Sequence, residues 1–187
     1  MVKKKTCVFI SGKGSNLKNL ISRSRDNNFP INISLVITNI KNAKGISYPK
    51  KYNIPHFYID ARKKNYENKV LFYLKKYKIS FICLAGYMKI ISKNLVNQYQ
   101  KKIINIHPSL LPKFKGLNTF SRILKNKEIK TGCTVHYINE RLDSGNTIIK
   151  KSFFIEVDDD EKILKKKTQK LEYKAFPEAI IKIFRNN

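Results

Sequence analysis

The feature that most constrains this chain is a short apolar run that ends in a glycine turn. Lys5–Ser11 is β-branched and apolar, and Gly12-Lys13-Gly14-Ser15-Asn16 follows it directly. Leu17–Arg25 comes next, with Leu17, Leu20 and Ile21 on one helical face. A strand that turns through glycines into a helix opens a crossover unit, and such units build parallel sheets.

The pattern recurs. Ile31–Thr38 reads as a strand, followed by a short helical stretch to about Tyr52, and His56–Ile59 reads as a third strand after Pro55. Tyr66–Tyr77 carries Val70, Leu71 and Leu74 at helical spacing, and Ser80–Ala85 and Lys102–Ile106 are further strand-like runs. Thr134–Ile138 and Thr147–Val157 read as longer strands joined only by Asn139–Asn146, which suggests a hairpin-like extension. Asp158–Glu161 is an acidic helix start, and the last helix runs towards Arg185 with a bend expected near Pro177. The expectation is a doubly wound α/β fold: a mostly parallel sheet of about seven strands with helices on both faces. In such sheets ligands bind beyond the carboxyl ends of the strands, so the loops at Gly12, Gly86 and His107 are where chemistry is expected.

Several function classes fall away. No apolar run approaches the roughly 20 residues of a membrane helix, and Cys7–Ser11 is too short for the hydrophobic region of a signal peptide. The chain therefore reads as cytoplasmic, without a membrane partner. Cys7, Cys83 and Cys133 lie far apart in or beside apolar runs, so they read as buried reduced thiols. No C-x-x-C pair or Cys/His cluster suggests zinc, and no metal is expected. The formal net charge of +26 raises nucleic-acid binding. Yet lysine is scattered through nearly every segment rather than gathered with aromatics on one stripe, so no specific nucleic-acid partner is expected.

Two stretches carry chemistry. In Gly12–Asn16, glycines let backbone approach an anion, and a helix N-terminus favours phosphate. Leu17 occupies the place of the last glycine of G-x-G-x-x-G, which weakens a dinucleotide reading, and Ser15 could equally be a plain helix N-cap. In Asn105-Ile106-His107-Pro108, alternation puts Asn105 and His107 on one face of a strand that Pro108 stops. An amide donor and an imidazole there suit acyl transfer, the amide stabilising an oxyanion and the imidazole moving protons. The competing reading is a histidine packed between prolines. Taken alone, Asp143 in Leu142-Asp143-Ser144-Gly145 reads as a turn residue, and His136 and His56 read as structural. Gln169 and Glu172, one helical turn apart, face either a site or solvent.

Taken together, these pieces resemble the phosphoribosylglycinamide formyltransferase family of the folate-dependent formyltransferase superfamily. The resemblance runs through Ile10–Asn16, Val36–Asn39, Leu84-Ala85-Gly86-Tyr87-Met88, Asn105–Pro112, Gly132–Tyr137 and Leu142–Gly145, in the family's order and spacing. It implies one domain over residues 1–187, with a phosphate- and ribonucleotide-binding half to about 100 and a catalytic, folate-binding half beyond. It implies transfer of a formyl group from 10-formyltetrahydrofolate, as co-substrate, to the amine of glycinamide ribonucleotide in purine synthesis. Asn105, His107 and Asp143 match the catalytic trio, and Gly12, Gly14, Ser15 and Asn16 the phosphate loop, with Gly86, Pro108, Gln169 and Glu172 at substrate positions. Tyr87, Met88, Lys89, Ile90, Ile91, Ile138, Glu140 and Arg141 match the folate pocket.

Departures from the family pattern are few. Lys63 stands where relatives often have an arginine near the phosphate, keeping the charge without the bidentate fork. Asn118 and Phe120 replace histidines found in many relatives. A monomer or weak homodimer is expected. Two relatives of similar chemistry are less favoured: methionyl-tRNA formyltransferases normally carry a further C-terminal domain, and formyltetrahydrofolate hydrolases an N-terminal regulatory one.

Overall fold

The apolar runs do become strands. In the computed structural model, which describes residues 2–185, seven strands form one sheet in the order β3-β2-β1-β4-β5-β6-β7. They are β1 (Lys4–Ile10), β2 (Ile31–Thr38), β3 (His56–Tyr58), β4 (Phe81–Leu84), β5 (Ile103–His107), β6 (Lys130–Tyr137) and β7 (Thr147–Phe154). The helices are α1 (Ser15–Ser24), α2 (Ser47–Lys51), α3 (Tyr66–Lys76), α4 (Lys93–Gln98), α5 (Thr119–Lys125) and α6 (Glu161–Arg185). The chain divides into two compact units, the first ending at Ile104 and the second beginning at Asn105.

In the first unit, β1 pairs in parallel with β2 and with β4, and β2 pairs in parallel with β3. Parallel strands need crossovers, and α1, α2 and α3 lie in them. Strands covered on both faces are apolar throughout, and the last five residues of β1 and all four of β4 are buried. Leu17, Leu20 and Ile21 of α1 and Val70 and Leu74 of α3 are buried with them.

The second unit contains an antiparallel pair. β6 runs against β7, with Thr131 opposite Phe153 and Val135 opposite Ile149. Thr131–His136 are buried, whereas β7 is largely open at the sheet edge, as its place at the end of the strand order requires. Helix α6 packs on both strands and buries Leu164, Ala175, Phe176, Ala179 and Ile180. It runs through Pro177, and Asp160 accepts a hydrogen bond from the Ile163 N–H at 2.7 Å, capping its first turn. Among the described residues, no helix is long and apolar enough to cross a membrane.

Two local expectations change. The N-cap of α1 is Gly14, in the left-handed region at φ 68°, so Ser15 is the first residue of the helix and not its N-cap. β6 begins at Lys130, four residues before the apolar run that announces it, because its first residues pair with β7 despite their polarity.

Candidate active site

β5 delivers the central residues of the second unit. Asn105 and His107 fall on the same face by alternation, with Ile106 buried on the other. The Nε2 of His107 lies 2.9 Å from the Phe114 carbonyl, and its Nδ1 lies 3.3 Å from Oδ2 of Asp143. A carbonyl only accepts, so Nε2 carries a hydrogen. Nδ1 faces a carboxylate oxygen, so a hydrogen on either atom joins His107 to Asp143. Both side chains are nearly closed off from solvent, which keeps that pairing strong.

Asp143 is placed by its turn as well as by its partners. It sits at φ 45°, rare for a non-glycine residue but tolerated by aspartate, and its Oδ2 accepts the Gly116 N–H at 2.9 Å. Asn105 Nδ2 donates to Asp143 Oδ1 at a long 3.5 Å. The structure thus brings Asn105, His107 and Asp143 together. It also adds His136, which alternation alone could not connect to them. His136 is fully buried on β6, and its Nδ1 donates to the Tyr137 carbonyl at 2.9 Å. That leaves Nε2 as an acceptor for Asn105 Nδ2 at 3.2 Å, which fixes the amide's orientation. Burial holds the His136 imidazole below its ordinary basicity, in keeping with a neutral acceptor.

In the first unit the turn after β1 is built from backbone. A side-chain carbon on Gly14 would lie 2.7 Å from the Gly45 Cα, and one on Gly45 would lie 2.9 Å from the Gly14 Cα. The Gly45 N–H donates to the Gly12 carbonyl at 3.0 Å, locking the two turns together. Ser15 and Asn16 therefore open α1 beneath a turn of bare backbone, the arrangement that accepts anions at a helix N-terminus. Lys63 is exposed in the loop before α3, next to Arg62, whose guanidinium is engaged by Asp60 at 2.8 Å.

The segment after β4 is held at its start and open beyond. Gly86 turns at φ 74°, and its carbonyl accepts from the Ser11 N–H at 3.1 Å. Ser11 Oγ accepts from the Met88 N–H at 2.8 Å and donates to Asn39 Oδ1 at 2.6 Å. The Tyr87 hydroxyl bonds that of Tyr66, and its ring meets Phe9 edge-on at 5.2 Å. Met88 and Ile90 are each 70% exposed, and Lys89 is exposed between them, while Ile91 is half-buried. In the second unit Pro108, Ile138, Gln169 and Glu172 are half-buried, while Glu140 and Arg141 are exposed.

Other chemistry is disfavoured. Cys7, Cys83 and Cys133 are buried free thiols, and burial pushes the Cys133 thiol up to about 12, far from a reactive thiolate. A cavity of about 510 Å³ in the first unit is lined by Lys5, Ser34, Tyr52, Asn53 and Lys78 and includes none of the residues above.

The chain matches the family model described as formyl transferase over residues 4–180. It is 36% identical over 183 residues to a phosphoribosylglycinamide formyltransferase of Bacillus subtilis, covering 95% of this chain and 93% of that one. It is also 39% identical over 184 residues to the trifunctional purine biosynthetic protein adenosine-3 of Drosophila pseudoobscura, spanning 95% of this chain but only 14% of that much longer protein. The crystal structure of phosphoribosylglycinamide formyltransferase from Bacillus halodurans superimposes with a TM-score of 0.92 at 34% identity, covering 96% of this chain and 95% of that one.

Proposed function

The chain belongs to the formyl transferase family, and from that we propose that it transfers the formyl group of 10-formyltetrahydrofolate to the amine of glycinamide ribonucleotide, in purine biosynthesis. The meeting of Asn105, His107 and Asp143 around β5 carries this reading. An amide donor beside a carboxylate–imidazole pair is what amine attack on a formyl carbon calls for.

The steps follow from hydrogen inventory. The neutral amine adds to the formyl carbon, and the carbonyl oxygen becomes an oxyanion. Asn105 has one N–H committed to His136 at 3.2 Å and the other stretched to Asp143 at 3.5 Å. The longer bond is the one exchanged for the oxyanion, a contribution on the order of 10²–10³ in rate. Asp143 and His107 take the proton that the amine sheds, directly or through a water, and supply one to N10 of the folate as the carbon–nitrogen bond breaks. The C=O re-forms, and tetrahydrofolate leaves with its N10–H. Such acid–base help is worth roughly 10²–10⁴.

Binding falls to the other elements. The Gly12–Asn16 turn takes the ribonucleotide's phosphate on its backbone N–H groups, with Lys63 adding charge and Gly86, Pro108, Gln169 and Glu172 contacting the rest of the molecule. Tyr87–Ile91 together with Ile138, Glu140 and Arg141 hold the folate. The open apolar side chains of Met88 and Ile90 are what a flat aromatic ligand would cover. A spectrophotometric assay with a 10-formyl folate tests the proposal. Release of the deformylated folate that depends on glycinamide ribonucleotide supports it. Release without ribonucleotide indicates a hydrolase, and release driven only by an aminoacyl-tRNA a different acceptor.

A further inference from the structure

One side chain beside the trio has no part in the chemistry just described. Lys115 lies in the loop after Phe114, half-buried, and its Nζ donates to Ser144 Oγ at 2.5 Å. Ser144 Oγ in turn donates to the Leu142 carbonyl at 2.9 Å, so the hydroxyl is oriented to receive the lysine. The next residue along, Gly116, donates its N–H to Asp143 at 2.9 Å. Two consecutive residues of one loop therefore grip two consecutive residues of another, and one of the gripped residues is Asp143.

The loop that does the gripping is itself unusual. Phe114, Gly116 and Asn118 all adopt positive φ, at 57°, 77° and 53°. Non-glycine residues hold such backbone only where surrounding contacts determine it. The contacts are present: Ser109 Oγ donates to the Lys113 carbonyl at 2.7 Å, Arg122 donates to the Lys115 carbonyl at 2.6 Å, and the Arg122 guanidinium lies 5.6 Å from the centre of the Phe114 ring. The Phe114 carbonyl is also the partner of His107. So the loop that fixes His107 at one end holds Asp143 at the other, and Lys115 adds a charged grip on the Asp143 turn.

We infer that Lys115 is a positioning residue for the proton-transfer pair, stapling the Asp143 turn through Ser144 so that Asp143 stays within reach of His107 before any ligand arrives. The role of the pair rests on the formyl-transfer reading above, whereas the staple itself does not.

The test is a double-mutant cycle on kcat with Lys115→Met, Ser144→Ala and the pair together, alongside Lys115→Arg. A small displacement of an acid–base group is costly, so Lys115→Met lowers kcat by about tenfold, with both KM values moving less than about twofold. Ser144→Ala lowers kcat less, the double variant is no worse than Lys115→Met alone, and Lys115→Arg recovers most of the loss. Hydrogen exchange at the Gly116 N–H, measured on the ligand-free proteins, speeds up in Lys115→Met and Ser144→Ala. Losses that multiply in the double variant, or a change confined to either KM, would overturn the inference. So would unaltered exchange at Gly116. If the wild type shows no ribonucleotide-dependent transfer while Gly116 exchange responds as stated, the staple stands and the functional reading fails.

Discussion

The turn after β1 and the cluster around β5 hold their polar groups in place by opposite means. The turn is made by what is missing. Gly14 and Gly45 approach so closely that neither can carry a side chain. The β5 cluster is made by what is present: two histidines, an asparagine and an aspartate satisfy one another across three separate stretches of chain. A site made by omission is stiff because there is little to move, and damage to it is damage to packing. A site made of side chains can lose a group and keep its fold, so damage shows first in turnover.

That contrast predicts different signatures. The largest effects belong to the cluster. Asn105→Ala lowers kcat by about 10²–10³ and His107→Ala by about 10²–10⁴, with melting temperatures close to wild type in both. A large loss of stability in either would break the contrast. Gly14→Ala and Gly45→Ala do the reverse. Each forces a carbon to within 3 Å of backbone, costing about 1–3 kcal/mol of stability and raising KM for the ribonucleotide more than it lowers kcat. Denaturation midpoints and the two KM values check this.

How legible each region is follows from the same difference. The glycine turn announces itself, since a strand that runs into Gly-x-Gly before a helical pattern leaves few alternatives, and β2 falls on the residues its apolar run indicates. Residue types also point to Asn105 and His107. What the sequence conceals is the partnership of His136, because its hydrogen bond to Asn105 depends on two strands being brought together and on Tyr137 setting the tautomer. Helices α4 and α5 are equally hidden. They are six and seven residues long, with too few apolar positions to show a period. The start of β6 escapes because Gly132 is chosen for its lack of a side chain, where any carbon would meet the Lys151 carbonyl at 1.9 Å.

Two smaller effects sharpen the comparison. Burial lowers the basicity of His136 in the folded state, whereas in the unfolded chain it titrates near 6.5. Below that pH the unfolded state binds a proton that the folded state resists, so stability falls as pH falls and is unaffected above about 7. The slope is at most about 1.4 kcal/mol per pH unit for one proton, and urea titrations of wild type and His136→Gln at pH 7 and pH 5.5 isolate it. Smallest of all, Lys63→Arg restores a planar fork at an exposed position, lowering ribonucleotide KM by about two- to threefold and leaving kcat and stability alone. Steady-state kinetics in low salt would register it.

The cluster around β5 is proposed to move a formyl carbon from folate nitrogen to an amine. Folate carrying a ¹³C-labelled formyl group, mixed with glycinamide ribonucleotide and followed by NMR, tests it most directly. The label is expected to appear as a formamide on the glycinamide nitrogen with wild-type protein and to stay on the folate with His107→Ala. Label appearing as free formate, or reaching the amine equally well with His107→Ala, would contradict it.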